Sequence, residues 1–88
     1  MKTGLVIHEL KTLPAYFQEV ADGNKTFEIR ENDRGFATGD ILILREFKDR
    51  ASGRVVTAKV TYITEFKQRP NYVVMGIKVL DVDQRLIR

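Results

Sequence analysis

Arg54 to Thr64 is the stretch that most restricts what this chain can fold into. Its side chains alternate almost strictly, with Val56, Ala58, Val60 and Tyr62 on one face and Val55, Thr57, Lys59, Thr61 and Ile63 on the other. A period of two belongs to an extended strand and to no helix. So long a strand needs ladder partners for its backbone groups, and the chain offers several. Tyr72–Leu80 sets Val73, Met75, Ile77 and Val79 on one face and Gly76 on the other, where the missing side chain admits a close neighbour. Asp40–Phe47 is apolar on both faces over four residues, as expected of a central strand covered on both sides. Leu5–Leu10 reads as a first strand, with His8 on the face of Val6 and Leu10. A lone histidine in such company suits a hydrogen-bonded structural group or a neutral, switchable site residue.

One segment has helical spacing instead. Leu13, Phe17, Val20 and Ala21 fall on one face between Leu13 and Asp22, with Tyr16 beside them. Lys11 is expected to end the first strand and Thr12 to cap the helix, with Pro14 in the first turn and Gly23 at the left-handed stop. Glu31–Gly35 has turn chemistry, Phe36 is expected to plug that loop into the core, and Thr38-Gly39-Asp40 makes a second turn. Lys48–Gly53 reads as a charged hairpin loop and Glu65–Asn71 as a polar connection. The expectation is an α+β chain of about five to six mixed strands with one N-terminal helix packed on the sheet. Closing into a small β-barrel disposes of its edges most economically. No linker, repeat or low-complexity segment divides residues 1–88, so one domain is expected, with 81–88 adding a short strand or fraying.

Composition removes most familiar chemistries. With no cysteine there are no disulfides, thiolate metal sites or cysteine nucleophiles. One histidine leaves a zinc site only His8 and carboxylates, and Ser52, the single serine, sits in the predicted hairpin loop, far from triad geometry. No glycine-rich phosphate loop occurs. No metal or cofactor is therefore expected. The apolar run after Lys2 spans only Leu5 to Ile7, so neither a secretory leader nor a membrane span is read, and a cytoplasmic monomer is expected. The net charge is +3 and the pI about 9.4, and seven basic residues against three acidic ones lie between Arg45 and Arg69. A phosphate backbone could use that segment, and a solvated hairpin would look the same.

What remains is the junction Gly23–Arg30, where the helix stops and a strand begins. Phe27 and Ile29 are expected to face the core, which sets Glu28 and Arg30 on the opposite side with Lys25 at the mouth. If that side is solvent, the pair is an ordinary exposed edge contributing little. If it lines a cleft, it is a recognition site. A lysine beside a carboxylate can serve as base or nucleophile, with the carboxylate handling the proton. Equally, the carboxylate can accept from an exocyclic amine while lysine and arginine hold phosphate or carbonyl oxygens. Spacing does not choose between these.

Gly23-x-Lys25-x-x-Glu28-x-Arg30 resembles the G-x-K-x-x-E-x-R signature of the ASCH domain, a small β-barrel group related to PUA domains. The run Phe36-x-x-Gly39-Asp40-x-Leu42-x-Leu44 is also similar to that group, and the likeness extends from His8-Glu9-Leu10-Lys11 to Tyr72-Val73-Val74-Met75, as in a compact bacterial and phage branch. The resemblance implies a PUA-like barrel and an RNA or nucleotide partner held in a cleft between helix and barrel. Lys25, Glu28 and Arg30 would line it, with His8 and Lys11 nearby and Arg34, Arg45, Arg50 and Arg54 available to phosphates. One branch hydrolyses acetylated cytidine nucleosides with a Lys-x-x-Thr pair and a distant glutamate. Lys25 matches its lysine, but Glu28 stands where that branch has threonine, so an amidohydrolase using Lys25 and Glu28 is the alternative expectation.

Overall fold

The structure, a computed structural model, describes residues 4–84. It contains β1 (Ile7–Thr12), α1 (Pro14–Ala21), β2 (Phe27–Glu31), β3 (Ile41–Lys48), β4 (Arg50–Thr64) and β5 (Tyr72–Asp83). The five strands form one mixed sheet in the order β1-β3-β4-β5-β2. β3, β4 and β5 run as an antiparallel meander, β2 adds antiparallel to β5, and β1 lies parallel to β3. The sheet curls into a half-barrel with α1 packed on its concave side. Its two free edges, β1 and β2, face each other across a seam that no strand ladder closes.

The concave face holds the core. Leu42 and Leu44 from β3, Val56, Ala58 and Val60 from β4, and Met75 from β5 are fully buried, and α1 adds Phe17 and Val20. Each of these side chains larger than alanine contributes about 1.5–3 kcal/mol by leaving water, and Phe17→Ala would remove about 3–5 kcal/mol, the lost burial plus the cavity left under α1. Phe36 plugs the loop before β3 into this core, as its position in the sequence suggests.

Several local expectations are corrected. Leu13 is not on the buried stripe; it is the extended residue before the helix and is 55% exposed. Thr12 does not cap α1, since β1 runs through Thr12 and no side chain caps the helix. The predicted hairpin loop Lys48–Gly53 shrinks to a turn on Asp49, which takes a left-handed φ of 64°, so β4 starts at Arg50. Aspartate tolerates that conformation better than most residues, which lets the ladder run on to the tip. Tyr62 leaves the buried face of β4 because the register shifts between Val60 and Tyr62, and it points to solvent at 65% exposure. Residues 81–83 continue β5; Leu86 and Ile87 lie outside the described residues.

Candidate functional site

The junction after α1 is held tightly to the helix. Gly23 takes φ 81°, and the backbone N–H groups of Asn24 and Lys25 both donate to Glu19 O, at 2.9 and 3.0 Å. This left-handed stop fixes where Lys25 stands relative to α1. β2 then pairs with β5, Glu28 opposite Met75 and Arg30 opposite Val73, both buried residues of the inner face.

The faces of β2 are therefore reversed from the sequence reading. Glu28 is 4% exposed, while Phe27 and Ile29 are 41% and 47% exposed. A buried carboxylate is tolerable only when paired and hydrogen-bonded, and Glu28 has both. Lys25 Nζ donates to Glu28 Oε1 at 3.1 Å and Arg30 Nε to Glu28 Oε2 at 2.7 Å. Lys25 Nζ also donates to Phe27 O at 3.0 Å and lies 5.0 Å from the Phe27 ring centre and 5.6 Å from that of Tyr16. Arg30 Nη2 reaches across the seam to donate to Lys11 O at 2.9 Å and to Thr12 Oγ1 at 3.4 Å. Arg34 Nη1 spans the same seam to Glu9 O at 2.8 Å. Two guanidinium groups thus satisfy carbonyls of β1 that face away from β3.

A cleft of about 520 Å³ opens at this seam, lined by Lys11, Thr12, Leu13, Tyr16, Lys25, Phe27, Glu28, Ile29 and Arg30. Its floor is the Lys25–Glu28–Arg30 cluster and its walls are mostly apolar. Both Glu28 oxygens are taken, whereas Lys25 keeps one ammonium hydrogen and Arg30 keeps Nη1 without a partner among the described residues. The groups left over are donors, which suits a ligand rich in acceptor oxygens. A second depression of about 290 Å³ adjoins it across Arg30, lined in part by Asp33, Arg34 and Tyr72.

Of the other residues singled out from the sequence, Lys11 borders the cleft, and His8, Arg45 and Arg54 are not among its lining residues. His8 is buried, with Nε2 2.8 Å from Asp40 Oδ2 and its ring edge-on to Phe36, 4.7 Å between centres. The same Asp40 oxygen accepts from Ala37 N–H at 2.9 Å, so this pair braces the turn into β3. Arg45 donates to Glu9 on the outer face. Arg54 is enclosed: it donates to Glu46, Gln18 and Gln84 and lies 4.9 Å from the Phe17 ring centre. Both terminal nitrogens of its guanidinium donate within the protein, and the buried Nε has no partner among the described residues. Lys11 borders the cleft but turns its ammonium over Phe47, 4.4 Å from the ring centre. The cleft walls Leu13 and Tyr16 were missed, because a helical stripe read from spacing assigns Leu13 to the core and leaves Tyr16 undecided. Among the described residues no three His, Asp or Glu side chains converge as metal ligands would, and no helix is long and apolar enough to cross a membrane.

Residues 7–77 match the family model described as "Domain of unknown function (DUF3850)". The chain belongs to the DUF3850 family. The match spans most of the chain and includes every residue lining the cleft, from Lys11 on β1 to Arg30 on β2. The chain is also similar to the "Uncharacterized 12.9 kDa protein in GpA 3′region" of Escherichia phage P2, 42% identical over 60 residues. That alignment covers 67% of this chain and 55% of the phage protein, so this DUF3850 chain matches about half the length of that relative.

Proposed function

We propose that the cleft binds a nucleotide of RNA, in the manner implied by the resemblance to ASCH domains. Arg30 carries the reading. Its Nε is fixed by Glu28 and its Nη2 by β1, while Nη1 has no partner among the described residues. A guanidinium held on two sides loses little freedom on meeting a phosphate or a base carbonyl. Tyr16 and Phe27 supply flat apolar walls of the kind that stack against a base, and Lys25 lies between them. The chain's net charge of +3 favours such a partner. Because Arg54 and Arg45 are engaged elsewhere, few cations reach the cleft, which favours a nucleotide or short single strand over a duplex.

Titration of single-stranded RNA and nucleoside monophosphates at low salt tests this. Binding that weakens with added salt, and by tenfold or more in Arg30→Ala, is expected. No affinity for either ligand at low salt would remove the reading.

A second reading follows from the 3.1 Å contact between Lys25 Nζ and Glu28 Oε1. Such a pair could move a proton during hydrolysis of an N4-acetylcytidine-like nucleoside to cytidine and acetate, with Lys25 as base or nucleophile. Against it, both Glu28 oxygens are already occupied, so a relay role requires Arg30 or Lys25 to let go. Incubation with N4-acetylcytidine decides this: no product, or product undiminished by Lys25→Ala, removes it.

A further inference from the structure

The convex face of the sheet carries a group of side chains that the cleft does not use. Lys59 on β4 stands directly opposite Lys78 on β5. Both are exposed, and neither has a carboxylate within ion-pair distance among the described residues. Cross-strand partners have Cβ atoms about 5 Å apart, and like charges so placed work against the sheet. An anion lying across the two would relieve that repulsion.

The next row toward the cleft is aromatic. Thr61 and Tyr62 are both exposed at the register shift after Val60, and Tyr62 pairs with Gly76, whose partner on the other side is Phe27. Gly76 thus lies in register between two exposed aromatic residues. A Cβ there would meet Thr61 Oγ1 at 3.1 Å and Tyr62 Cβ at 3.6 Å, so Thr61 and Tyr62 pack closely over the glycine and take up the space a side chain would fill. Phe27 is also a wall of the cleft, which makes the surface continuous: cleft, Phe27, Gly76, Tyr62, then Lys59 and Lys78. On β5 the acidic residues Asp81 and Asp83 begin only beyond Lys78, paired with Thr57 and Val55. The basic and aromatic strip therefore runs toward the cleft and not away from it.

We propose that a single-stranded RNA continues from the cleft over Phe27 onto this face, with a base stacked on Tyr62 and a phosphate lying across Lys59 and Lys78. Interleaved aromatic rings and unpaired cations are the chemistry that holds single strands without reading sequence. The inference rests on the nucleotide reading of the cleft and extends it from one nucleotide to an oligonucleotide.

The test is fluorescence anisotropy with a single-stranded RNA of about eight nucleotides, within the usual span of such sites. A duplex of the same length, an acidic peptide and the four nucleoside monophosphates serve as comparisons. The single strand is expected to bind at least tenfold more tightly than any monophosphate. Tyr62→Ala should weaken the single strand by about tenfold and leave the monophosphates unchanged, because Tyr62 is outside the cleft. The double variant K59Q/K78Q should lower the slope of log affinity against log salt by about 0.7 for each phosphate that no longer meets a lysine, and should melt no lower than the native chain. Equal binding of the duplex or the acidic peptide, or a single strand no tighter than a monophosphate, overturns the proposal. So does Tyr62→Ala without effect while Arg30→Ala weakens every ligand, an outcome that leaves the cleft reading standing. Arg30→Ala without effect on any ligand overturns the cleft reading and, with it, the continuous path.

Discussion

Two buried glutamates, each paired with an arginine, sit in different parts of this half-barrel and do different things. Glu46 accepts from Ser52 Oγ at 2.7 Å and from Arg54 Nη1 at 3.2 Å. Arg54 then binds Gln18 of α1 and Gln84 after β5, and its plane lies over Phe17. Glu28 is just as buried and as fully paired, by Lys25 and Arg30, yet its arginine keeps an open Nη1 and its lysine borders a cleft. The residue types are nearly the same. The difference is the partnering: Gln18 of α1, Gln84 after β5 and Glu46 occupy both terminal nitrogens of Arg54, whereas at the seam between β1 and β2 Arg30 Nη1 has no partner among the described residues. One cluster ties α1 and the residue after β5 to the sheet; the other is the charged floor of the cleft.

Breaking the Arg54 cluster should cost most. Arg54→Ala leaves the Glu46 carboxylate buried with only Ser52 and uncovers Phe17, a loss of about 3 kcal/mol. In a domain this small that lowers the thermal midpoint by roughly 15 °C, readable by circular dichroism. RNA affinity well below the midpoint should stay within about twofold, since this cation does not line the cleft. Glu28→Gln is expected to cost less, about 2 kcal/mol, because the amide oxygen still accepts from one of the two cations. It should nevertheless lower nucleotide affinity, as Lys25 and Arg30 lose the charge that positions them, and titration calorimetry measures that change.

Arg30→Ala reverses the balance. Lys25 still neutralises Glu28, and the freed β1 carbonyl is open to water, so about 1 kcal/mol of stability is lost in chemical denaturation while binding falls tenfold or more. An Arg54→Ala variant that lost binding, or an Arg30→Ala variant that lost only stability, would erase the distinction between the two clusters. The smallest effect is expected from Gly76→Ala. Its Cβ meets a rotatable threonine hydroxyl at 3.1 Å and Tyr62 Cβ at 3.6 Å, so a cost below about 1 kcal/mol and weaker single-strand binding, as Thr61 and Tyr62 shift, should appear in the same two assays.

The element plan was legible in the sequence because periodicity reports local geometry. The alternation of Arg54–Val60, the apolar block of Ile41–Leu44 and the Phe17–Val20 helix all appear where spacing puts them. Gly23 stops the helix for the reason its lack of a side chain suggests. The cluster Lys25–Glu28–Arg30 was legible as a group, since β2 and the helix stop are local features. Beyond Lys11, its partners were not: Thr12 and Leu13 reach the cleft only because β1 closes toward β2 from the far side of the sheet order. Nor could the sequence separate Arg54 from Arg30, because burial under α1 is a fact about packing.

The alternation of β2 fixed by itself that Glu28 and Arg30 share one face and Phe27 and Ile29 the other, since strand geometry allows nothing else. Which face turns inward was decided only by the fold. On an ordinary half-buried strand the apolar pair goes in. Here β2 is the edge at an unclosed seam, where Lys25 comes from the helix end and β1 supplies carbonyls to Arg30, so the charged pair is satisfied inside. Phe27 and Ile29 are left on the rim of the cleft and the outer face.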